Sequence, residues 1–255
     1  MPKKKNILKM LKVRDPSDGD YVRPFNDDRI PALPCRALVV GRSQLSGKSS
    51  LVFNYMAREE LFKDFFDPLD IYIVSPSIES DPKLSLLIDY LDIPRSNCID
   101  AYDEYLIGSI YKQIKENFME AKREGRGPIH SCIILDDCSF SGNLKGKRNG
   151  VIPQMFQNSR HYCVSLFVTA QHYSDIPTAV RNNCTAFFCF QLNNRQTDAI
   201  IEDHSFIDPK IFKKKMREVT AEKHSFMYIS YDNALPKRYL DSDFNFVDMT
   251  GDPIL

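Results

Sequence analysis

The sequence predicts an α/β domain in which helices cover both faces of a mostly parallel β-sheet. Apolar runs of strand length alternate with segments of helical period along most of the chain. The runs are nearly continuous in apolar character, which is typical of strands buried on both faces. A glycine-bearing loop joins the first such run to a helical segment. With 255 residues, the chain is long enough to bury the core of one large domain of this class.

Four patterns predict the first half of the domain. Residues 36–41 are mostly apolar and are predicted to form a strand. Residues 48–62 are predicted to form a helix, because apolar side chains recur there on one face. A second strand covers 70–74 and ends shortly before a proline, and a helix is expected around 84–91. These ranges predict two strand–helix units in succession.

The longest helical pattern covers 104–126. Its apolar residues recur at steps of three and four, and Gly125, Gly127 and Pro128 end it. The remaining elements are predicted from the same two patterns. The strands are 131–135, 164–169, 186–191 and 225–231, and the helices are 195–203 and 209–217.

The chain divides into three parts by composition. Residues 1–33 are basic and then polar with several prolines, so we expect an arm ahead of the fold. Residues 34–235 carry the strand and helix patterns and form the predicted domain, and 236–255 form a C-terminal tail. The lysines of the arm are compatible with a solvated tail, a nucleic-acid contact or a localisation signal. The sequence leaves these three open.

Charge and cysteine usage restrict the class of protein. The 34 Lys and Arg residues balance 34 Asp and Glu residues, so any nucleic-acid contact must be local. Seven cysteines occur singly with no C-x-x-C pair, which indicates buried thiols in a reducing compartment. The sequence has neither a signal peptide nor an apolar run of membrane-spanning length. We therefore expect a soluble intracellular protein without a membrane-spanning segment.

The most informative motif lies between the first strand and the first helix. It begins at Gly41 and ends in Gly47-Lys48-Ser49, in the strand–loop–helix setting of a phosphate-binding loop. Backbone N–H groups of such a loop surround phosphates, the lysine reaches the β- and γ-oxygens, and the serine hydroxyl ligates Mg²⁺. The residues predicted to bind nucleotide are Gly41, Arg42, Ser43, Gln44, Leu45, Ser46, Gly47, Lys48, Ser49 and Ser50.

The glycine spacing of this loop is irregular. The usual pattern places the first glycine five positions before the second, where this chain has Arg42. Gly41 lies one position earlier. The loop is therefore either one residue longer than usual, or it uses Arg42 in place of glycine.

A second motif supports the first. Residues 132–135 form an apolar strand that ends in Asp136-Asp137. Bound Mg²⁺ prefers oxygen ligands and usually takes one or two carboxylates together with substrate phosphates. We assign Asp136 to the Mg²⁺ site, with Ser49 as the hydroxyl ligand, and Asp137 to polarising the attacking water. Paired aspartates that merely cap a strand are the simpler alternative.

Three further side chains are candidates for a role in the reaction. Gln171 follows the strand 164–169, where a polar residue contacts the γ-phosphate or its water in this type of sheet. Arg160 and Arg181 are candidate arginine fingers, because a guanidinium neutralises charge on the transferred phosphoryl group, often from a neighbouring subunit. An ordinary loop amide and surface salt bridges are the alternatives.

Two cationic segments are candidates for contact with a nucleic-acid backbone. Residues 141–150 follow the aspartate pair and carry three cations and no acid, and Lys213-Lys214-Lys215 forms a second cluster. A solvated face explains either segment equally well.

With these motifs in order, the chain resembles the poxvirus-type genome-packaging ATPases of large DNA viruses and virophages, within the FtsK–HerA superfamily of P-loop motors. The resemblance covers roughly residues 35–205. Five motifs carry it: Gly47-Lys48-Ser49, Ile133-Ile134-Leu135-Asp136-Asp137, Arg160-His161 ahead of a strand followed by Gln171, Ile176-Pro177, and Arg181-Asn182-Asn183.

The resemblance implies a P-loop NTPase core of the additional-strand-conserved-glutamate, RecA-like type across 34–235. It implies a homo-oligomeric ring that hydrolyses ATP with Mg²⁺ to drive double-stranded DNA into a preformed capsid, in contact with capsid vertex proteins. In that scheme Lys48, Asp137 and Gln171 are catalytic, and Arg160 or Arg181 acts on the neighbouring subunit. The implied location is the host cytoplasm or virus factory, and the virion.

Other functions share parts of this pattern. A HerA-type DNA translocase or helicase would use the same motifs without packaging. A small-molecule phosphotransferase would need an arginine-rich lid, whereas the comparable loop here is lysine-rich. A GTPase would need Asn-Lys-x-Asp after a strand, which the chain lacks. A nucleotide-regulated scaffold would bind ATP without turnover, and Asp137 argues against it.

Overall fold

The computed structural model describes residues 27–42, 46–137 and 150–250. The arm before residue 27, Ser43, Gln44, Leu45 and the cationic segment up to 149 lie outside the described residues. The strands are β1 Arg36–Val40, β2 Ile71–Val74, β3 Cys98–Ile99, β4 Ser131–Leu135, β5 Val164–Ala170, β6 Ala186–Phe190, β7 Phe226–Ser230 and β8 Tyr239–Leu240. The helices are α1 Lys48–Ala57, α2 Pro82–Tyr90, α3 Glu104–Arg123, α4 Val151–Asn158, α5 Thr178–Arg181, α6 Asn194–His204 and α7 Pro209–Val219.

The strands form one sheet in the order β3-β2-β4-β5-β1-β6-β7-β8. The strands from β3 to β6 are parallel, and β7 and β8 add an antiparallel edge. Strand β5 lies between β1 and β4, the two strands that carry the phosphate-loop and aspartate motifs. The predicted mostly parallel α/β fold is confirmed.

Each central strand contributes side chains to two separate apolar cores. In β1, Leu38 and Val40 point into one core, and Ala37 and Val39 point into the other. Helices α3, α4, α6 and α7 cover the first core, and α1 and α2 cover the second. This arrangement explains the continuous apolar runs, because both faces of the sheet exclude water.

Several element boundaries differ from the predictions. Helix α1 ends at Ala57 rather than at residue 62, because Arg58 is extended and Phe62 folds back so that its ring packs 5.4 Å from that of Tyr55. Strands β3 and β8 were not predicted, since two residues are too few for a periodic pattern. Helix α4 was not predicted either. Its Pro153 lies in the first turn, where a missing N–H is tolerated.

The domain boundaries at 33 and 235 stay predictions. Ile30, Leu33 and Leu240 are all buried in the core that α1 and α2 cover. Strand β8 pairs with β7, so the sheet continues past residue 235. Among the described residues, the helices are all too short or too polar to cross a membrane.

Candidate nucleotide-binding site

A cavity of about 410 Å³ opens at the carboxyl ends of β1, β4 and β5. These strands are parallel neighbours, so the loops that follow them meet at one edge of the sheet. The lining residues are Ser46, Gly47, Lys48, Ser49, Ser77, Ser80, Asp81, Pro82, Lys83, Asp136, Asp137 and Gln171. The structure thus brings together the predicted loop lysine and serine, both aspartates and Gln171.

The structure explains why both positions 41 and 47 of the phosphate loop are glycine. A Cβ at Gly41 would lie 2.8 Å from Ser46 Cβ and 2.9 Å from Phe190 Cβ, so only glycine fits the close approach of loop and sheet. Gly47 precedes helix α1 with φ 103°, a left-handed conformation that favours glycine. The shifted glycine is therefore required at 41. Whether the loop bulges after it concerns Ser43, Gln44 and Leu45, which lie outside the described residues.

Lys48 is the buried cation of the cavity. It is 8% exposed, and its Nζ donates hydrogen bonds to the carbonyl oxygens of Gly41 at 3.0 Å and Arg42 at 3.1 Å. Burial lowers the pKa of Lys48, and the carboxylates of Asp137 and Asp136 oppose that shift. The ammonium group is thus hydrogen-bonded to the backbone of the phosphate loop, and it faces the cavity with little water around it.

Asp136 lies at the tip of β4 and is held by two hydroxyl groups. Its Oδ1 accepts hydrogen bonds from Thr169 Oγ1 at 2.8 Å and from Ser49 Oγ at 3.3 Å. Burial raises the pKa of Asp136, while the Thr169 hydrogen bond lowers it. Ser49 and Asp136, the residues predicted to hold Mg²⁺, are therefore adjacent.

Asp137 is oriented by its neighbours on β5. Its backbone N–H donates to Thr169 Oγ1 at 2.9 Å, and its Oδ2 accepts from Gln171 Nε2 at 2.7 Å. Its φ of 53° turns the side chain toward the cavity. Burial raises the pKa of Asp137, opposed by the Gln171 hydrogen bond and by Lys48. Its other oxygen, Oδ1, is shielded from solvent and has no hydrogen-bond partner among the described residues.

The donor set fits a magnesium ion bound with a nucleotide. A hydroxyl and a carboxylate oxygen lie 3.3 Å apart at Ser49 and Asp136, and both are hard oxygen ligands. Asp137 lines the same cavity and adds a second carboxylate to it. The residues present therefore suit a Mg²⁺-nucleotide complex.

The two candidate arginine fingers do not line this cavity. Arg160 and Arg181 line a second cleft of about 470 Å³ together with Arg36 and Thr185. Because Arg36 begins β1 and Thr185 directly precedes β6, this cleft lies at the amino ends of the strands. Within one subunit, both arginines are therefore at the edge of the sheet opposite the nucleotide cavity.

The two arginines differ in exposure. Arg181 forms an ion pair with Asp203, donates to Thr178 Oγ1 at 3.1 Å and lies 4.8 Å above the ring of Tyr173. Arg160 is exposed at the surface of the cleft. Arg181 is thus built into the fold, whereas the side chain of Arg160 reaches the surface.

Several residues at the site were not predicted from the sequence. Thr169 bridges the two aspartates, and Asp81 and Lys83 are among the residues that line the cavity from the segment after β2. A threonine near the end of a mostly apolar strand was the available indication for Thr169. For Lys83 the sequence offered only its position at the start of a predicted helix.

A lysine-bearing loop after one strand, paired aspartates after another and an additional strand between them define a P-loop NTPase. Residues 24–240 match the family described as "Poxvirus A32 protein", and the chain belongs to that family. The predicted resemblance is confirmed. The uncharacterized protein 075L of Invertebrate iridescent virus 6 is 28% identical over 218 residues, which cover 84% of this chain and 77% of that protein.

Solved structures support the same fold. The genome packaging NTPase B204 from Sulfolobus turreted icosahedral virus 2, in complex with ATPγS, superposes with a TM-score of 0.53 at 17% identity over 78% of this chain and 93% of that one. The ATPase domains 2 and 3 of EssC from Geobacillus thermodenitrificans give a TM-score of 0.52 at 15% identity over 69% of this chain and 35% of that one. At these identities the likeness concerns the fold.

Proposed function

We propose that this chain is an ATP-driven motor that moves double-stranded viral DNA into a preformed capsid. The observation that carries the proposal is one cavity that holds Lys48, both aspartates and Gln171 in a member of the poxvirus A32 family. The B204 protein of Sulfolobus turreted icosahedral virus 2, which has the same fold, is described as a genome packaging NTPase, which supports the same activity here.

The residues of the cavity have different roles in the proposed ATP hydrolysis. Lys48 and the N–H groups at the start of α1 bind the phosphates. Asp137, whose Oδ2 accepts a hydrogen bond from Gln171, orients a water molecule and accepts its proton through its carboxylate. Gln171 links that carboxylate to strand β5. Ser49 and Asp136 would hold Mg²⁺, which would neutralise part of the phosphate charge.

Contact with DNA is assigned to local cationic segments, because the net charge of the chain is zero. In the described part, Lys213 pairs with Asp198, and both Lys214 and Lys215 lie near Glu218. These acids reduce the charge that the cluster offers to DNA. The segment 141–149 lies outside the described residues and remains the other candidate.

The wider assembly follows from the same proposal. A motor of this kind works as a homo-oligomeric ring in the host cytoplasm or virus factory, in contact with capsid vertex proteins. Arg160 or Arg181 would then complete the nucleotide site of a neighbouring subunit. A DNA translocase unconnected with packaging would share the site and the ring, but would not need a capsid.

The decisive experiment is Mg²⁺-ATPase activity of the full chain with and without duplex DNA, together with its solution mass. We expect activity that requires Mg²⁺, rises with double-stranded DNA and disappears in Lys48→Ala. Lys112→Ala on the surface of α3 is the matched control and should leave activity unchanged. Folded protein that binds ATP without hydrolysing it would support a non-catalytic scaffold, and hydrolysis indifferent to duplex DNA would contradict packaging.

A further inference from the structure

We propose that Lys83 is a second phosphate-binding cation of the nucleotide site, contributed by helix α2. The inference rests on the proposed nucleotide binding and adds a residue that no sequence motif indicates. Lys83 lines the same cavity as Lys48 and Asp137, although it lies far from the loop in sequence.

Packing between helices places Lys83 at the phosphate loop. Leu84, Leu87 and Ile88 of α2 are buried in the same core as Leu51 and Tyr55 of α1. The start of α2 is thereby held beside the start of α1. The ammonium of Lys83 lies 2.7 Å from Ser50 Oγ, in the first turn of α1. A long, flexible side chain thus ends next to the N–H groups that bind phosphates in this type of loop.

The electrostatics of this position call for an anion. A helix N-terminus carries partial positive charge, and a cation placed there is unfavourable. Lys83 lies at the N-termini of both α1 and α2, and neither helix has an acidic residue in its first turn. The carboxylate of Asp81 caps α2 by accepting the backbone N–H of Lys83, and Asp136 and Asp137 line the same cavity, but the Lys83 ammonium forms no ion pair with a described residue. A phosphate group in the cavity would give this ammonium a direct ion-pair partner.

The alternative is a purely structural lysine that ties α2 to α1 through Ser50. The two roles differ in what they require. A tether needs a hydrogen-bond donor at position 83 that reaches Ser50, whereas phosphate binding needs the positive charge. Lys83→Gln keeps a donor without the charge, Lys83→Met removes both, and Lys83→Arg retains both.

The test is equilibrium binding of a fluorescent ATP analogue to the full chain with Mg²⁺, with inorganic tripolyphosphate as a competitor. Lys83→Met should weaken both ligands by about tenfold, since a charge-assisted contact to phosphate is lost. Lys83→Gln should weaken both ligands as much as Lys83→Met, and Lys83→Arg should bind within about threefold of the unaltered chain. Lys112→Met, a surface lysine of α3, is the matched control.

Three results would overturn the proposal. These are unchanged binding in Lys83→Met, normal binding in Lys83→Gln, or weaker ATP binding with unchanged tripolyphosphate binding, which would place Lys83 against the base or ribose. Thermal unfolding of each nucleotide-free variant checks that the fold is retained. If the unaltered chain binds neither ligand, the proposed function itself fails, so the two failures are distinguishable.

Discussion

At the residue scale, one hydroxyl organises both aspartates of the candidate site. Thr169 Oγ1 donates to Asp136 Oδ1 and accepts from the backbone N–H of Asp137. Thr169 is fully buried, so no water can replace either hydrogen bond. The geometry of the carboxylates at the tip of β4 therefore depends on a side chain from the neighbouring strand β5.

Thr169→Val tests this dependence, because valine keeps the shape and removes both hydrogen bonds. We expect Mg²⁺-ATPase activity to fall by about 10- to 100-fold, as is typical when a partner that orients a metal ligand is lost. The measurement is steady-state hydrolysis across a Mg²⁺ titration, which should also shift to higher Mg²⁺ concentrations.

Thr169→Ser is the control, because it keeps the hydroxyl and loses one methyl group. It should retain most of the activity and the normal Mg²⁺ dependence. If Thr169→Val hydrolyses ATP as fast as the unaltered chain, Thr169 does not position the aspartates.

At the element scale, the sequence predicted the longer strands and most of the helices well, and missed helix α4 and the two-residue strands β3 and β8. Strands β1 and β4 were predicted almost to the residue, since burial on both faces produces unbroken apolar runs. Their carboxyl ends carry the loop lysine and the aspartates, so much of the site could be predicted as well. Strands β3 and β8 depend on pairing with distant segments, and Lys83 reaches the site only through packing of α2 on α1. Contacts of this kind leave no local pattern.

A buried hydrogen-bond network around His204 connects α6 with the segments that follow β5 and β7. His204 is 2% exposed, and its Nε2 lies 2.8 Å from the hydroxyl of Tyr173. Its Nδ1 is hydrogen-bonded to the hydroxyl of Tyr231, and its ring stacks on Phe187 at 4.4 Å. Burial lowers the pKa of His204 to about 4, against the opposing charge of Asp203.

This histidine makes stability depend on pH in a defined direction. The unfolded chain binds the proton below about pH 6.5 and the folded chain only below about pH 4, so acid favours unfolding between these values. Relative to His204→Gln, the unaltered chain should lose about 2–3 kcal/mol of unfolding free energy between pH 7.5 and pH 4.5. Urea unfolding across this range measures the difference.

The matched control is His161→Gln, which alters an exposed histidine. Its stability should follow that of the unaltered chain at every pH. A constant difference between the unaltered chain and His204→Gln from pH 7.5 to 4.5 would show that His204 is not buried in the neutral form.

At the scale of the whole molecule, the nucleotide cavity and the arginine cleft lie at opposite edges of one sheet. An arginine from this cleft reaches a nucleotide only in another copy of the chain. A contact between the nucleotide edge of one copy and the arginine edge of the next joins two different surfaces, so it is heterologous. Repeated heterologous contacts close into a ring when the rotation between neighbouring copies permits. The placement of Arg160 and Arg181 is thus compatible with a ring and unsuited to catalysis within one subunit.

Subunit mixing distinguishes the two arginines, and the structure favours Arg160. Arg160→Ala and Lys48→Ala should each be inactive alone. In a random 1:1 mixture, about a quarter of the interfaces would join an intact Lys48 to an intact Arg160, so about that fraction of activity should return. Arg181→Ala should instead lower the thermal stability, since it leaves Asp203 without its ion-pair partner in a largely buried position.

Steady-state ATPase of the mixtures with duplex DNA is the measurement. Rescue by Arg181→Ala but not by Arg160→Ala would reverse the assignment, and no rescue by either would remove both arginines from the neighbouring site.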